Sequence, residues 1–170
     1  MTAPAPQPTG RFRGNDLVLS RKFRAPIEDI WTSITDPSST ARWFGRWEGE
    51  PGVGNEIRIQ MGFEEGQPWL TKTIEVCEPP HRLVVTSVKS SMTSRLELSL
   101  KAIGDDCELE FVQHAIDRAQ VGEVGPGWEY YLDCLVASRG DGPRPTFDAY
   151  YPAQKAYFLG LTAGSTSAQP

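Results

Sequence analysis

At 170 residues, with a net charge of −5 and an isoelectric point near 5.1, the chain suits one domain that can bury a real core without covalent staples. The acidic balance excludes the basic footprint that nucleic-acid binding needs, and it disfavours an anionic membrane surface. No apolar run approaches the length of a bilayer-spanning helix.

Residues 1–15 are rich in Pro, Thr and Gly and read as a disordered arm. Met1 to Pro8 show neither the charged nor the apolar region of a secretory signal, so a cytoplasmic location is expected. A first strand covers Leu17 to Phe23, apolar at 17, 19 and 23, with Arg21 breaking the alternation. Ala25-Pro26 opens a helix in which Ile27, Ile30, Trp31 and Ile34 form one apolar stripe. Asp36 then caps a short helix with Pro37 at its first position, carrying Arg42-Trp43-Phe44 and ending at Gly45.

Strands follow almost without interruption. Ile57, Ile59, Met61 and Phe63 alternate with polar residues or glycine, the pattern of a half-buried strand. Trp69 to Cys77 and Arg82 to Lys89 are the next two, the latter rich in Val and Thr. Leu96, Leu98 and Leu100 pair through a Gly104-Asp105-Asp106 hairpin with Cys107, Leu109 and Phe111. One wet face and one covered face imply an antiparallel sheet and an α+β layer arrangement. The cover is a long late helix, with Pro126 in its first turn and Gly140 ending it. Its stripe is Trp128, Tyr131, Leu132, Leu135 and Val136, while Glu129, Asp133 and Ala137 turn toward water. The domain therefore spans 16–139, and 140–170 is an extension. There Phe147, Tyr150, Tyr151, Tyr157 and Phe158 predict a tail docked on the domain or on a second subunit, with residues 161–170 disordered.

Several short signatures in this order resemble the activator-of-Hsp90-ATPase-like family of the START-like (SRPBCC) superfamily. They are Phe23-Arg24-Ala25-Pro26 with Ile30-Trp31, Thr35-Asp36-Pro37, Arg42-Trp43-Phe44, Glu78 through Val84, and Gly127-Trp128 with Leu132 and Leu135. The resemblance covers about residues 16–139. It implies a helix-grip fold, about seven antiparallel strands curved around the C-terminal helix with a hydrophobic cavity between. It also implies a choice among lipid binders, polyketide cyclases, hydrolases and co-chaperones, because fold does not select function. Relatives of this kind are often homodimeric. Ser87 stands where many relatives carry an aromatic, which would reshape the cavity.

Candidate chemistry is sparse. His114 is a general-base candidate at a strand end, but alternation places Gln113, not His114, on the face of Cys107, Leu109 and Phe111. His81 lies in a Pro-Pro turn and is expected in solvent. Glu75 is read as outward-facing, the alternative being a lone cavity acid. Cys77, Cys107 and Cys134 read as free thiols of a reducing cytosol. Neither metal-ligand spacing nor a phosphate-cradling glycine motif nor a nucleophile elbow is present, so no metal or cofactor is expected. The remaining signal is apolar: Trp47, Met61, Phe63, Trp69, Val85, Leu98, Phe111, Trp128, Tyr131 and Leu132 are the expected lining of a site for a small hydrophobic molecule. Tyr131 would offer a hydroxyl to one ligand oxygen. A cyclase- or dehydratase-like enzyme and a co-chaperone-like or homodimeric module are the alternatives.

Overall fold

The period-two alternation through the middle of the chain folds into one antiparallel sheet. The computed structural model describes residues 4–87 and 94–164. Its strands are β1 (Arg11–Arg13), β2 (Asp16–Phe23), β3 (Arg46–Gly49), β4 (Glu56–Gln60), β5 (Trp69–Glu78), β6 (Arg82–Ser87), β7 (Arg95–Ile103) and β8 (Asp106–His114). The eight-stranded sheet runs in the order β1-β2-β8-β7-β6-β5-β4-β3. This is one strand more than the family resemblance implied; β1 and β3, three and four residues long, carried no alternation long enough to read. Gly104, at φ 62°, closes the β7–β8 hairpin, where Ile103 pairs with Asp106. The last two residues of the strand expected over 82–89 lie outside the described residues.

Among the described residues four α-helices accompany the sheet: α1 (Ile27–Thr35), α2 (Pro37–Thr40), α3 (Val121–Ser138) and α4 (Lys155–Gly164). The α1 stripe is as its spacing predicts, with Ile27, Ile30 and Ile34 buried and Trp31 packed at the core margin. Asp36 caps α2 by accepting the Ser39 amide at 3.0 Å. Arg42-Trp43-Phe44 follow as a turn rather than as helix. The long helix α3 lies across the inner face and completes the helix grip.

Three expectations for α3 are corrected, and others at the ends of the chain. The helix begins at Val121, so Pro126 lies inside it and not in its first turn. Glu129, expected in water, is 1% exposed. Val136, expected in the stripe, is 42% exposed. A single apolar stripe covers one side of a helix, whereas the C-terminal extension covers a second side of α3. Tyr150 donates to Asp133 at 2.7 Å, and Phe158, fully buried, sits against Gly125. The tail thus docks on its own domain. Residues 161–164, expected to be disordered, complete α4, and 165–170 lie outside the described residues.

The arm expected to be disordered over 1–15 is also corrected from residue 9 onward. The Thr9 and Gly10 amides donate to Glu129 at 2.6 and 2.7 Å, and β1 pairs with β2. Arg21 does not interrupt the β2 alternation; it occupies an inward position opposite Leu109. From there its guanidinium reaches Glu129 at 2.7 Å and Asp133 at 2.8 Å on α3. A charged residue stands where an apolar one would, because the helix presents carboxylates to meet it.

Candidate functional site

The inner face of the sheet and the three helices nearest it do not close completely. Between them lies a cavity of about 370 Å³. Its sheet wall is aliphatic, built from Ile57, Ile59, Ile74, Val85, Leu96 and Leu98. The opposite wall comes from Ile34, Trp43 and Phe44 after the first strands and from Trp128 and Leu132 on α3. Both nearby indoles are oriented by carbonyl groups: the Trp43 Nε1–H donates to Ser33 and the Trp47 Nε1–H to Thr35, each at 2.9 Å. The Trp128 Nε1–H donates to the Gln113 side-chain oxygen at 2.8 Å, and its ring lies 4.3 Å from that of Phe111. Aromatic rings fixed in this way keep the space open instead of collapsing into it.

A second, more polar cleft of about 660 Å³ adjoins the first. Phe44, Lys72, Leu96 and Trp128 line both. The cleft also carries Met61, Glu64, Ser87, Ser94, Gln113 and Tyr131. Tyr131 donates to Glu64 at 3.0 Å; burial and that carboxylate together push its phenol above the ordinary range.

The ten residues expected at the site divide three ways. Trp47, Val85, Leu98, Phe111, Trp128 and Leu132 line the apolar cavity. Met61 and Tyr131 line the polar cleft. Phe63 and Trp69 are corrections. Strand β4 ends at Gln60, so Phe63 falls in a turn, 43% exposed, with the Arg144 guanidinium 3.4 Å from its ring centre. Trp69 faces away from the helix, between Arg46 and Arg58 at 5.0 and 4.5 Å.

The β5 parity explains Trp69 and a residue that the sequence pattern did not single out. Leu70, Lys72 and Ile74 share one face up to a bulge between Ile74 and Val76, after which Cys77 pairs with Leu83 and returns to the cavity wall. Trp69 shares parity with Glu75, which faces outward as expected and pairs there with Arg95 at 2.8 Å. Extending that parity back along the strand would have placed Trp69 outside and Lys72 inside.

Lys72 is 4% exposed, and burial pushes its pKa down to about 8. The sign of the linkage is definite. The unfolded chain keeps this proton up to its ordinary pKa of about 10.4, so it binds more protons than the folded chain over roughly pH 8–10, and stability rises with pH there. Urea unfolding at about pH 7.5 and about pH 9.5 should show a gain of about 2 kcal/mol, absent in Lys72→Met. An equal gain in that variant would assign the effect to other groups.

The other candidates do not converge on the cavity. Gln113 faces inward as alternation requires. His114 is held between Asp16 at 3.1 Å and Glu97 at 2.7 Å. Despite its burial, Arg82 and His114 hold the Glu97 carboxyl below the usual range. His81 is exposed. Cys107 and Cys134 are buried free thiols and Cys77 a half-buried one; burial pushes the first two upward in pKa, away from the thiolate a nucleophile needs. Among the described residues, no helix is long and apolar enough to cross a membrane.

This architecture has close counterparts among solved structures. The crystal structure of CalU16 from Micromonospora echinospora superimposes with a TM-score of 0.73 at 27% identity, covering 86% of this chain and 87% of CalU16. A Bordetella parapertussis protein solved in solution gives 0.67 at 22% identity, covering 94% of this chain and 93% of its own. A conserved Enterococcus faecalis protein of unknown function gives 0.68 at 16% identity over 93% and 91% of the two chains. No curated protein matches the sequence. The family model described as "Activator of Hsp90 ATPase homolog 1-like protein" matches residues 24–138, the stretch from the end of β2 to the end of the gripped helix. With that match over most of its length, and with the helix-grip fold built around it, this chain belongs to the activator of Hsp90 ATPase homolog 1-like family.

Proposed function

We propose that this protein binds a small, largely hydrophobic molecule between its sheet and α3, by shape and burial and without covalent chemistry. The observation that supports the reading is the cavity of about 370 Å³, apolar on nearly every wall and held open by rings that are themselves hydrogen-bonded. Sites for small ligands usually have this size and lining, with a few polar groups to orient the occupant. The free thiols fit a reducing compartment such as the cytoplasm.

A cyclase- or dehydratase-like reading needs an acid or base free to meet a substrate. Glu75 is engaged outside, His114 lies between two carboxylates, and the Tyr131 hydroxyl donates its hydrogen bond to Glu64. The tail that suggested a second subunit is used within its own chain. Ligand binding asks for none of these groups and for no second copy.

The test is titration with Nile red, an uncharged apolar dye, followed by fluorescence. The wild type is expected to bind it with a micromolar Kd, and Leu98→Trp, which fills the cavity from β7, to bind about tenfold more weakly or worse. Equal binding by both proteins, or no binding by the wild type, overturns the reading.

A further inference from the structure

Strand β5 lies inside the sheet between β4 and β6, and Lys72 points from it toward the helix. A buried ammonium ordinarily has a carboxylate beside it, because desolvating an unpaired charge is costly. Lys72 has two hydroxyls instead. Its Nζ lies 2.5 Å from Ser87 Oγ and 3.2 Å from Ser94 Oγ, and the two serines are 2.8 Å apart. No carboxylate forms an ion pair with it among the described residues, and the intervening sequence 88–93 (Val-Lys-Ser-Ser-Met-Thr) contains no acidic residue. Ser87 is its cross-strand partner, and Ser94 accepts the Ser87 amide at 3.0 Å, so the triad is fixed by the sheet ladder itself.

The donor count is informative. An ammonium and two hydroxyls carry three N–H and two O–H donors. Two N–H groups are directed at the serines and one O–H joins the serines to each other. Among the described residues one N–H and one O–H remain, beside a positive charge, in a wall that Lys72 shares between the two cavities.

We infer that Lys72, Ser87 and Ser94 form the anchor for the carboxylate of the bound molecule, so that the ligand class is a hydrophobic carboxylic acid. This rests on the ligand-binding reading above and adds to it the chemistry of one end of the ligand. A carboxylate has a single negative charge and two oxygens, matching the one uncompensated cation and the two remaining donors. Among the described residues no second Lys or Arg lines either cavity to meet the second negative charge of a phosphate dianion. An uncharged ligand would leave the ammonium as it is. The other titratable groups of the polar cleft are already engaged: Glu64 accepts from Tyr131, His114 lies between Asp16 and Glu97, and Asp117 accepts the Ala119 amide.

Isothermal titration calorimetry with 2-naphthoate and its uncharged analogue 2-naphthamide tests the assignment. At about pH 6.5 the wild type is expected to bind naphthoate about tenfold more tightly than the amide, as a charge-assisted contact predicts. Lys72→Met should erase that preference, so that the variant binds the two compounds with equal affinity within about threefold. The preference should also fall as the pH rises through about 8, where Lys72 loses its charge. Ser87→Ala/Ser94→Ala, which keeps the ammonium, should lose a smaller part and serves if Lys72→Met does not fold. A wild type that binds both compounds equally, or a Lys72→Met protein that still prefers naphthoate, overturns the anchor and leaves ligand binding standing. Binding of Nile red without binding of naphthoate has the same consequence. Failure of naphthoate, naphthamide and Nile red alike overturns ligand binding and the anchor with it.

Discussion

Glu129→Ala is expected to lower the unfolding free energy by about 3–5 kcal/mol, the usual cost of removing one partner from a buried ion pair. The carboxylate accepts the Thr9 and Gly10 amides at 2.6 and 2.7 Å, the Thr9 hydroxyl, and the Arg21 guanidinium at 2.7 Å. Alanine would leave two amides and one guanidinium nitrogen without their carboxylate acceptor, while Arg21 kept Asp133 and the Ser20 carbonyl, and each orphaned group adds its own penalty. It would also release the chain before β1 from α3. Urea denaturation monitored by circular dichroism gives the number. The control is Glu48→Ala, which breaks an exposed pair with Arg58 and should cost under about 1 kcal/mol. If the two variants lose the same amount, the buried cluster is not what joins the N-terminal segment to the helix. The double replacement Arg21→Met/Glu129→Leu should cost less than the sum of its single changes, because it removes both charges together.

Phe158→Ala should cost a comparable amount, about 3–5 kcal/mol, from lost burial and the cavity left behind. Its ring fits where α3 has no side chain: a Cβ built on Gly125 would lie 2.4 Å from Phe158 Cδ1 and 2.5 Å from Cγ. Opposite outcomes for one substitution in two backgrounds follow. Gly125→Ala destabilises the wild type, since a fully buried ring must move. In Phe158→Ala the same change meets no ring, and the gain in helix propensity, about 1 kcal/mol, should make it neutral or stabilising. Thermal unfolding of the four proteins completes the cycle. If Gly125→Ala has the same effect in both backgrounds, the extension does not press on α3 as described.

Both variants address a face of α3 that local sequence pattern misassigned, which shows how far such patterns reach. The strands whose alternation ran for several residues were legible: Ile57 with Ile59, Leu96 through Leu100, Cys107 through Phe111, and the hairpin at Gly104 joining the last two. So were the α1 stripe and the Asp36 cap, since each depends on residues within a few positions of one another. Six of the ten proposed lining residues sit on the apolar cavity for the same reason, being the inward members of regular elements. Phe63 failed because its strand ended early, and Trp69 because it has the outward parity of Glu75, the bulge after Ile74 turning only Cys77 back to the inner face.

The amino-acid order, then, was enough for the family, the antiparallel sheet, the gripped helix and the greasy lining of the space between them, because periodicity assigns each residue a side of its own element. It was not enough for the polar groups that give that space its character. Whether Glu129 meets water or Arg21 depends on a strand more than a hundred residues earlier in the chain. Whether Lys72 is a surface lysine or a buried cation beside Ser87 and Ser94 depends on strand pairing 15 and 22 residues away. A charge is buried or solvated according to what lies opposite it in space, and that neighbour exists only once the sheet, the helix and the tail have closed on one another.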